Sequence, residues 1–390
     1  MTSLEELFSV YPSQWRPEKR VLLSPWVDPR ANRESLKLLE SIDSSSKLLW
    51  LMSSGSSQKP CEQRWIGIEL EAIAYGAEAA NSWLEVEPSD RWLCPLPPFH
   101  IATVAMAMRA RLASNHFTFC WSPKRWNPLF FIEALSQDKA TLSSLVPTQV
   151  YDLVEQGLSP PSDLRAVLVG GGALQETLYT KARALGWPLL PSYGMTEACS
   201  QIATATLRSL AEEQATSPSL KLLPHWERKI DEQGQLWLKG RALFHCYGVI
   251  KGGEIDCLDP KQEGWFASGD RVEAVGSQLI PLGRLAELIK VNGELVDLSA
   301  LQKLLDHHCQ LCGYHGDQAL IAIDDLRKGK RLQLLATQSN QELMRALLEF
   351  NKELLPFLRL QTDPSIVDEI PRSALGKLLP LMANSCTCNP

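Results

Sequence analysis

Five consecutive residues, Tyr193-Gly194-Met195-Thr196-Glu197, set a phenol, a hydroxyl and a carboxylate on one short stretch of chain. The ring can stack on a flat base, the hydroxyl can bond a phosphate oxygen, and the carboxylate supplies the oxygen ligand that Mg2+ prefers. A polar strand-to-loop turn would use the same residue types. Upstream, Ser53-Ser54-Gly55-Ser56-Ser57-Gln58-Lys59-Pro60 offers hydroxyls, amides and one cation. Such a loop can wrap a triphosphate, although Ser/Gly loops also serve as plain surface connections. Gly170-Gly171-Gly172 follows a buried apolar run and lets backbone approach a flat base closely; a tight turn is the plainer alternative.

Further along, Asp270 closes Gly264-Trp265-Phe266-Ala267-Ser268-Gly269-Asp270. Its carboxylate can accept both hydroxyls of a ribose, while a simple turn aspartate would look the same. Arg284 could hold phosphate or ribose. Phe99-His100 precedes the mostly apolar stretch Ile101–Met108 and then Arg109. A guanidinium in such a stretch, if buried, needs an anion; a snorkelling arginine is the alternative, and Arg111 competes for the role.

Positioning these groups requires an alternation of strands and helices. Lys47–Met52, Trp92–Leu96, Ala140–Leu145, Arg165–Val169 and Pro188–Ser192 read as strands. Helices are predicted from the Ser3/Glu6 capping pattern, over Arg33–Ile42, over Glu62–Leu84, after Pro147, and from Gln175 to the cap at Gly186. The Tyr193 motif then falls where the Pro188–Ser192 strand ends, the usual ligand edge of an α/β sheet. After about residue 230 short strands such as Gly234–Leu238 take over. A boundary near Gly283 opens an α+β unit of about a hundred residues, a normal domain size. In it Ser299 and Gln302 are predicted to cap a helix. Strands Ala319–Ile323 and Leu332–Ala336 follow, and then a helix over Gln341–Leu355 ended by Pro356.

With Gly283-Arg284, Lys290, Gly293 and Pro371-Arg372-Ser373-Ala374-Leu375-Gly376-Lys377, these motifs stand in an order that resembles the adenylate-forming acyl-CoA synthetase family from Ser53 to Lys377. The resemblance implies an α/β fold. A large domain, 1–282, has mixed and parallel sheets flanked by helices. A small mobile α+β domain, 283–390, follows, and the fold is shortened at its front. It implies that Ser53, Ser54, Gly55, Ser56, Ser57 and Lys59 wrap the phosphates of ATP, and that Gly170, Gly171, Gly172, Tyr193, Gly194 and Met195 hold the adenine. Thr196 would serve the α-phosphate, Glu197 Mg2+, and Asp270 and Arg284 the ribose and phosphate. Lys377 becomes the cation of the adenylation step, and Lys290 and Gly293 approach CoA. His100, Arg109, Ser200 and Gln201 surround the acid. The Arg109 spacing and the run Ala198-Cys199-Ser200-Gln201-Ile202 resemble the branch that activates 2-succinylbenzoate in menaquinone and phylloquinone biosynthesis. The chain departs from the family pattern at Gln58 and Cys61, where Gly and Lys are usual, and at Ala286, where Asp or Lys is usual. Another aryl or fatty acid, a carrier-protein acceptor, or a nucleotide-binding protein without turnover therefore stay open.

The bulk composition fits this picture. The 390 residues are 45% hydrophobic and 22% charged, with a net charge of −6. They suit a globular chain acting on small molecules and argue against a broad nucleic-acid surface. No basic leader and no membrane-length apolar run is evident. Ten cysteines lack a framework, which suggests a reducing cytoplasm. His307-His308-Cys309, Cys312 and His315 have zinc-like residue types, but no second paired cluster completes a site. A homo-oligomer is compatible with the sequence.

Overall fold

A computed structural model describes residues 7–9, 11, 21–22, 35–39, 41, 48–52, 62–122, 126–211, 216–285, 288–291, 294–325, 329–354, 358–360, 363–372 and 378. In chain order the strands begin with β1 (Val21–Leu22), β2 (Leu48–Met52), β3 (Glu62–Glu69), β4 (Arg91–Cys94), β5 (His116–Phe119), β6 (Leu142–Leu145) and β7 (Ala166–Val169). They continue with β8 (Leu189–Met195), β9 (Ser200–Thr204), β10 (Leu220–Leu222), β11 (Glu227–Ile230), β12 (Gln235–Lys239), β13 (Cys246–Lys251) and β14 (Glu254–Leu258). Last come β15 (Phe266–Val275), β16 (Gln278–Arg284), β17 (Leu288–Val291), β18 (Glu294–Asp297), β19 (Gln318–Asp325), β20 (Gly329–Ala336) and β21 (Ser365–Ile366). The helices used below are α1 (Leu70–Trp83), α2 (Ile101–Leu112), α3 (Pro128–Gln137), α4 (Pro147–Glu155), α5 (Glu176–Ala184), α6 (Leu298–Leu311) and α7 (Gln341–Glu353).

Eleven strands form the main sheet in the order β11-β12-β15-β16-β10-β9-β8-β7-β6-β4-β5. The half from β5 to β8 is parallel. At β8 the sheet turns antiparallel, because β9 follows directly and folds back on it. The four residues of β7 are all buried, as a strand covered on both faces must be. Ala166 and Leu168 face one core with Ile73 and Val104 of α1 and α2. Val167 and Val169 face another with Phe131, Val150 and Tyr179 of α3, α4 and α5. Each such large apolar side chain contributes about 1.5–3 kcal/mol on full burial.

Glu62–Leu84 is not one helix. Its first eight residues are β3, paired with β2 and β13, and only Leu70–Trp83 is helical. Trp65, Ile66 and Ile68 are fully buried in that strand, and Gly67 lets the Trp50 ring lie across it, where a Cβ would come to 2.8 Å. The Ala/Glu-rich second half conceals the change of period. The predicted Ser299/Gln302 cap is also displaced. Asp297 caps α6 by accepting from the Ala300 amide at 3.0 Å, while the Gln302 side chain accepts from the Leu320 amide on β19.

The main sheet runs to Arg284, and a separate sheet, β18-β17-β20-β19 with β21 on β20, begins at Leu288. This second sheet, α6 and α7 share their own core around Leu305, Leu320, Leu334, Leu347 and Phe350. Arg271 of β15 pairs with the capping Asp297 at 2.8 Å, which ties that unit to the main sheet. Residues 35–39 are helical, as read from the sequence. The predicted helix at Ser3–Glu6 and the stop at Pro356 lie outside the described residues. No helix among the described residues is long and apolar enough to cross a membrane.

Candidate functional site

The site grows from the place where β8 changes neighbours. The strand does not stop at Ser192: it continues through Tyr193 and Gly194 to Met195, paired with β9 across a register shift between Tyr193 and Gly194. At Gly194 a Cβ would run into the Ser200 carbonyl, so the two backbones meet only because that residue is glycine. Thr196–Ala198 form one 3-10 turn. Cys199 and Ser200 then adopt φ of +49° and +100°, a left-handed backbone unusual for non-glycine residues. The hairpin is therefore strained where Thr196 and Glu197, both half-buried, are presented.

Tyr193 points its hydroxyl at Asp270 and donates to Oδ2 at 2.6 Å. Burial first, and then the Asp270 charge, push this phenol well above its ordinary pKa, so it stays a donor. Asp270 is not a turn residue: it lies inside β15 opposite Arg284 of β16, and Arg284 Nε stands 3.1 Å from Oδ1. That contact is an ion pair and not an aligned hydrogen bond, so buried Oδ1 keeps acceptor capacity. The Asp270 amide donates to Ser268 Oγ at 3.1 Å, which fixes the carboxylate from behind.

Glu197 is gripped from β13 and the residues before it. Tyr247 Oη donates to Glu197 Oε1 at 3.0 Å, and the Phe244 amide donates to the Glu197 carbonyl at 2.8 Å. Burial, then the Glu197 charge, raise the Tyr247 phenol, while Arg64 and Arg284 pull it down. Arg284 thus lies near enough to pull down both phenols, Tyr193 and Tyr247. No group of three or more His, Cys, Asp or Glu suited to a metal exists among the described residues. One carboxylate fits a Mg2+ ion that arrives on a nucleotide, because that ion keeps waters and substrate phosphates as its other ligands. His308 is instead placed 2.9 Å from Glu353.

The glycine run lies at the end of β7, where the Gly170 amide donates to the Leu145 carbonyl at 3.2 Å. Gly171 has φ +83° and requires glycine's conformational freedom. Beyond it a cleft of about 1260 Å³ opens between α4, the start of α5 and the second unit. Ala173 and Gln175 line one wall, and Gln302, Asp306 and Arg372 line the other.

His100 is the N-cap residue of α2, with its ring 5.3 Å from that of Phe99. Nine residues on, Arg109 is 2% exposed. Burial alone lowers its pKa to about 9. Its Nε has no hydrogen-bond partner, and no carboxylate pairs with it among the described residues. Arg111, by contrast, is exposed. Gln201 is buried and donates to Thr204 Oγ1 at 2.7 Å, leaving its Oε1 without a partner. Ser200 is half-buried beside it. Ser53, Ser54, Gly55, Ser56, Ser57, Lys59, Gly293 and Lys377 lie outside the described residues, as do Gln58, Cys61 and Ala286. Lys290 is described only as backbone of β17. Sequence reasoning missed Tyr247 and Phe244, whose roles come from pairings distant in sequence, and Ser268, whose bond to the Asp270 amide is local.

Residues 68–248 match the AMP-binding enzyme family. The chain is 26% identical over 364 residues to the 2-succinylbenzoate–CoA ligase of Bacillus pumilus, covering 90% of this chain and 71% of that one. It is 25% identical over 390 residues to the naringenin synthase of Pestalotiopsis fici, covering 94% of this chain but 14% of that one. In fold it is similar to o-succinylbenzoate CoA synthetase (MenE) of Bacillus subtilis in complex with the acyl-adenylate intermediate OSB-AMP, with a TM-score of 0.69 at 24% identity over 86% of this chain and 68% of that one. The match over residues 68–248, the shared fold and the meeting of Tyr193, Asp270 and Arg284 agree with one another: over residues 68–248 the chain is similar to the AMP-binding enzyme family.

Proposed function

We propose that the protein is an ATP-dependent acid–thiol ligase that converts 2-succinylbenzoate and CoA to 2-succinylbenzoyl-CoA through an acyl-adenylate, releasing pyrophosphate and AMP. The observation that carries the reading is the Tyr193–Asp270–Arg284 cluster beside Glu197 at the point where β8 leaves the parallel sheet. A carboxylate acceptor, a cation and a second carboxylate at such an edge suit a nucleotide with its ribose and phosphates. The ligase relatives and the adenylate-bound neighbour support the acid and the thiol.

In this reading Asp270 Oδ1 accepts a ribose hydroxyl, and Tyr193 offers its ring to the adenine while its hydroxyl fixes Asp270. Thr196 donates to the α-phosphate, and Arg284 balances the charge. Glu197, held by Tyr247, would ligate Mg2+, which supplies charge stabilisation on the phosphates when bound. Arg109 receives the aromatic carboxylate, so the aliphatic carboxylate is the one that attacks phosphorus; Ser200, Gln201 and His100 line the rest of the acid's pocket. Lys377 is the cation of this first step, and the Ser53–Lys59 loop wraps the leaving pyrophosphate. We assign 1–282 and 283–390 to two bodies. Rotation of the second would replace Lys377 by the Lys290–Gly293 segment for attack by the CoA thiol.

The test offers 2-succinylbenzoate, and the same acid with the aromatic carboxylate methylated, to the protein with Mg·ATP and no CoA, followed by mass detection of acyl-adenylate. Adenylate from the first acid and strongly reduced formation from the second supports the assignment. Equal formation from both would remove Arg109 from substrate recognition and favour another aryl acid.

A further inference from the structure

The hairpin of β13 and β14 holds a feature that the ligase reaction does not use. Cys246 and Cys257 bring their sulfurs to 2.9 Å, both as free thiols. The register accounts for the approach. Gly248 sits directly opposite Cys257, and Cys246, two residues earlier on β13, projects from the same face and lies diagonally across from Cys257. Having no side chain, Gly248 places nothing between the two thiols.

The environments of the two sulfurs differ. Cys246 is 2% exposed and belongs to a core cluster with Leu39, Trp50 and Trp65. Cys257 is exposed on β14, the last strand of its sheet. We propose that Cys246 and Cys257 form a redox dithiol that closes to a disulfide with a small-molecule disulfide such as oxidised glutathione as the oxidant. Cys257, the accessible sulfur, gives its proton to solvent and as a thiolate attacks one sulfur of the oxidant, expelling one thiolate and giving a mixed disulfide. The leaving thiolate takes the Cys246 proton. The Cys246 thiolate then attacks the Cys257 sulfur and expels the second thiolate, which takes up a proton from solvent. Two protein thiols become one disulfide, and one oxidant disulfide becomes two thiols.

Burial, and then the adjacent Cys257 sulfur, raise the Cys246 thiol. It therefore waits protonated until a mixed disulfide forms beside it. The bond would fasten the edge strand β14 to β13 one residue from Tyr247, the side chain that holds Glu197. Disulfides in reducing compartments are mostly transient and sensing, and a pair with one exposed and one buried sulfur suits that use.

The test incubates the full chain, natively folded, with oxidised glutathione, blocks remaining thiols with N-ethylmaleimide, and maps unreduced peptides by mass spectrometry. The expected result is a Cys246–Cys257 linked peptide that disappears with dithiothreitol. In Cys257→Ser, at an exposed position, Cys246 should then carry neither glutathione nor a partner. In Cys246→Ser the reaction should stop at a glutathione adduct on Cys257. A wild-type chain that also stops at that adduct, or that leaves both thiols open to N-ethylmaleimide, overturns the proposal.

Discussion

Arg109 is a guanidinium in an apolar helix with no carboxylate beside it among the described residues. Leaving a charge in that condition costs stability unless a ligand supplies the counter-charge. Arg109→Met should therefore raise KM for 2-succinylbenzoate by about 10–100-fold, the worth of a charge-assisted hydrogen bond of about 1.5–3 kcal/mol, with little change in KM for ATP. The same variant should unfold at an equal or higher temperature than the wild type. A lower melting temperature with unchanged kinetics would identify Arg109 as a structural residue. Tyr193→Phe removes the 2.6 Å bond to Asp270 but keeps the ring. Nucleotide binding, measured by calorimetry, should weaken by about tenfold while acid binding stays constant.

Elements decide whether those residues meet. Gly194→Ala drives a Cβ into the Ser200 carbonyl, and backbone cannot step aside as a side chain can. The variant should lose about 3 kcal/mol or more in denaturant titration and lose adenylation with it; wild-type stability would show that the β8–β9 contact is loose. His225 marks another element, the turn between β10 and β11. Both ring nitrogens are buried without partners, and burial lowers its pKa to about 4. The folded state binds this proton less readily than the unfolded chain, whose histidine titrates near 6.5. Stability is complete above about pH 6.5 and falls as the pH drops toward about 4. His225→Phe should flatten that part of the stability–pH curve, and an unchanged slope would assign the loss to other groups. At this scale the sequence was readable where a short apolar run is bounded by glycine or charge, as in Ala166–Val169 before Gly170. It was unreadable at Glu62–Leu84, because a strand passes into a helix with no Gly or Pro between them. Tyr247 could not be found at all: only the fold brings it across fifty positions to Glu197.

For the whole molecule, the core of the second sheet is separate from those of the main sheet, so the two parts need not unfold together. All twelve tryptophans lie at or before Trp265. Fluorescence therefore reports on the first unit alone, while far-ultraviolet circular dichroism reports on both. The two probes should give different midpoints in a denaturant titration, and coincident curves would mean that the units unfold as one. The order of motifs along the chain made the large-scale plan legible. The grouping of Asp270 and Arg284 across β15 and β16 was not, because strand pairing sets it and spacing does not. Both half-reactions can be read in one vessel: pyrophosphate release from Mg·ATP with 2-succinylbenzoate, and thioester formation when CoA is added. The expected result is acid-dependent pyrophosphate and stoichiometric 2-succinylbenzoyl-CoA. ATP binding with no pyrophosphate from this acid or from a panel of other carboxylates would contradict it.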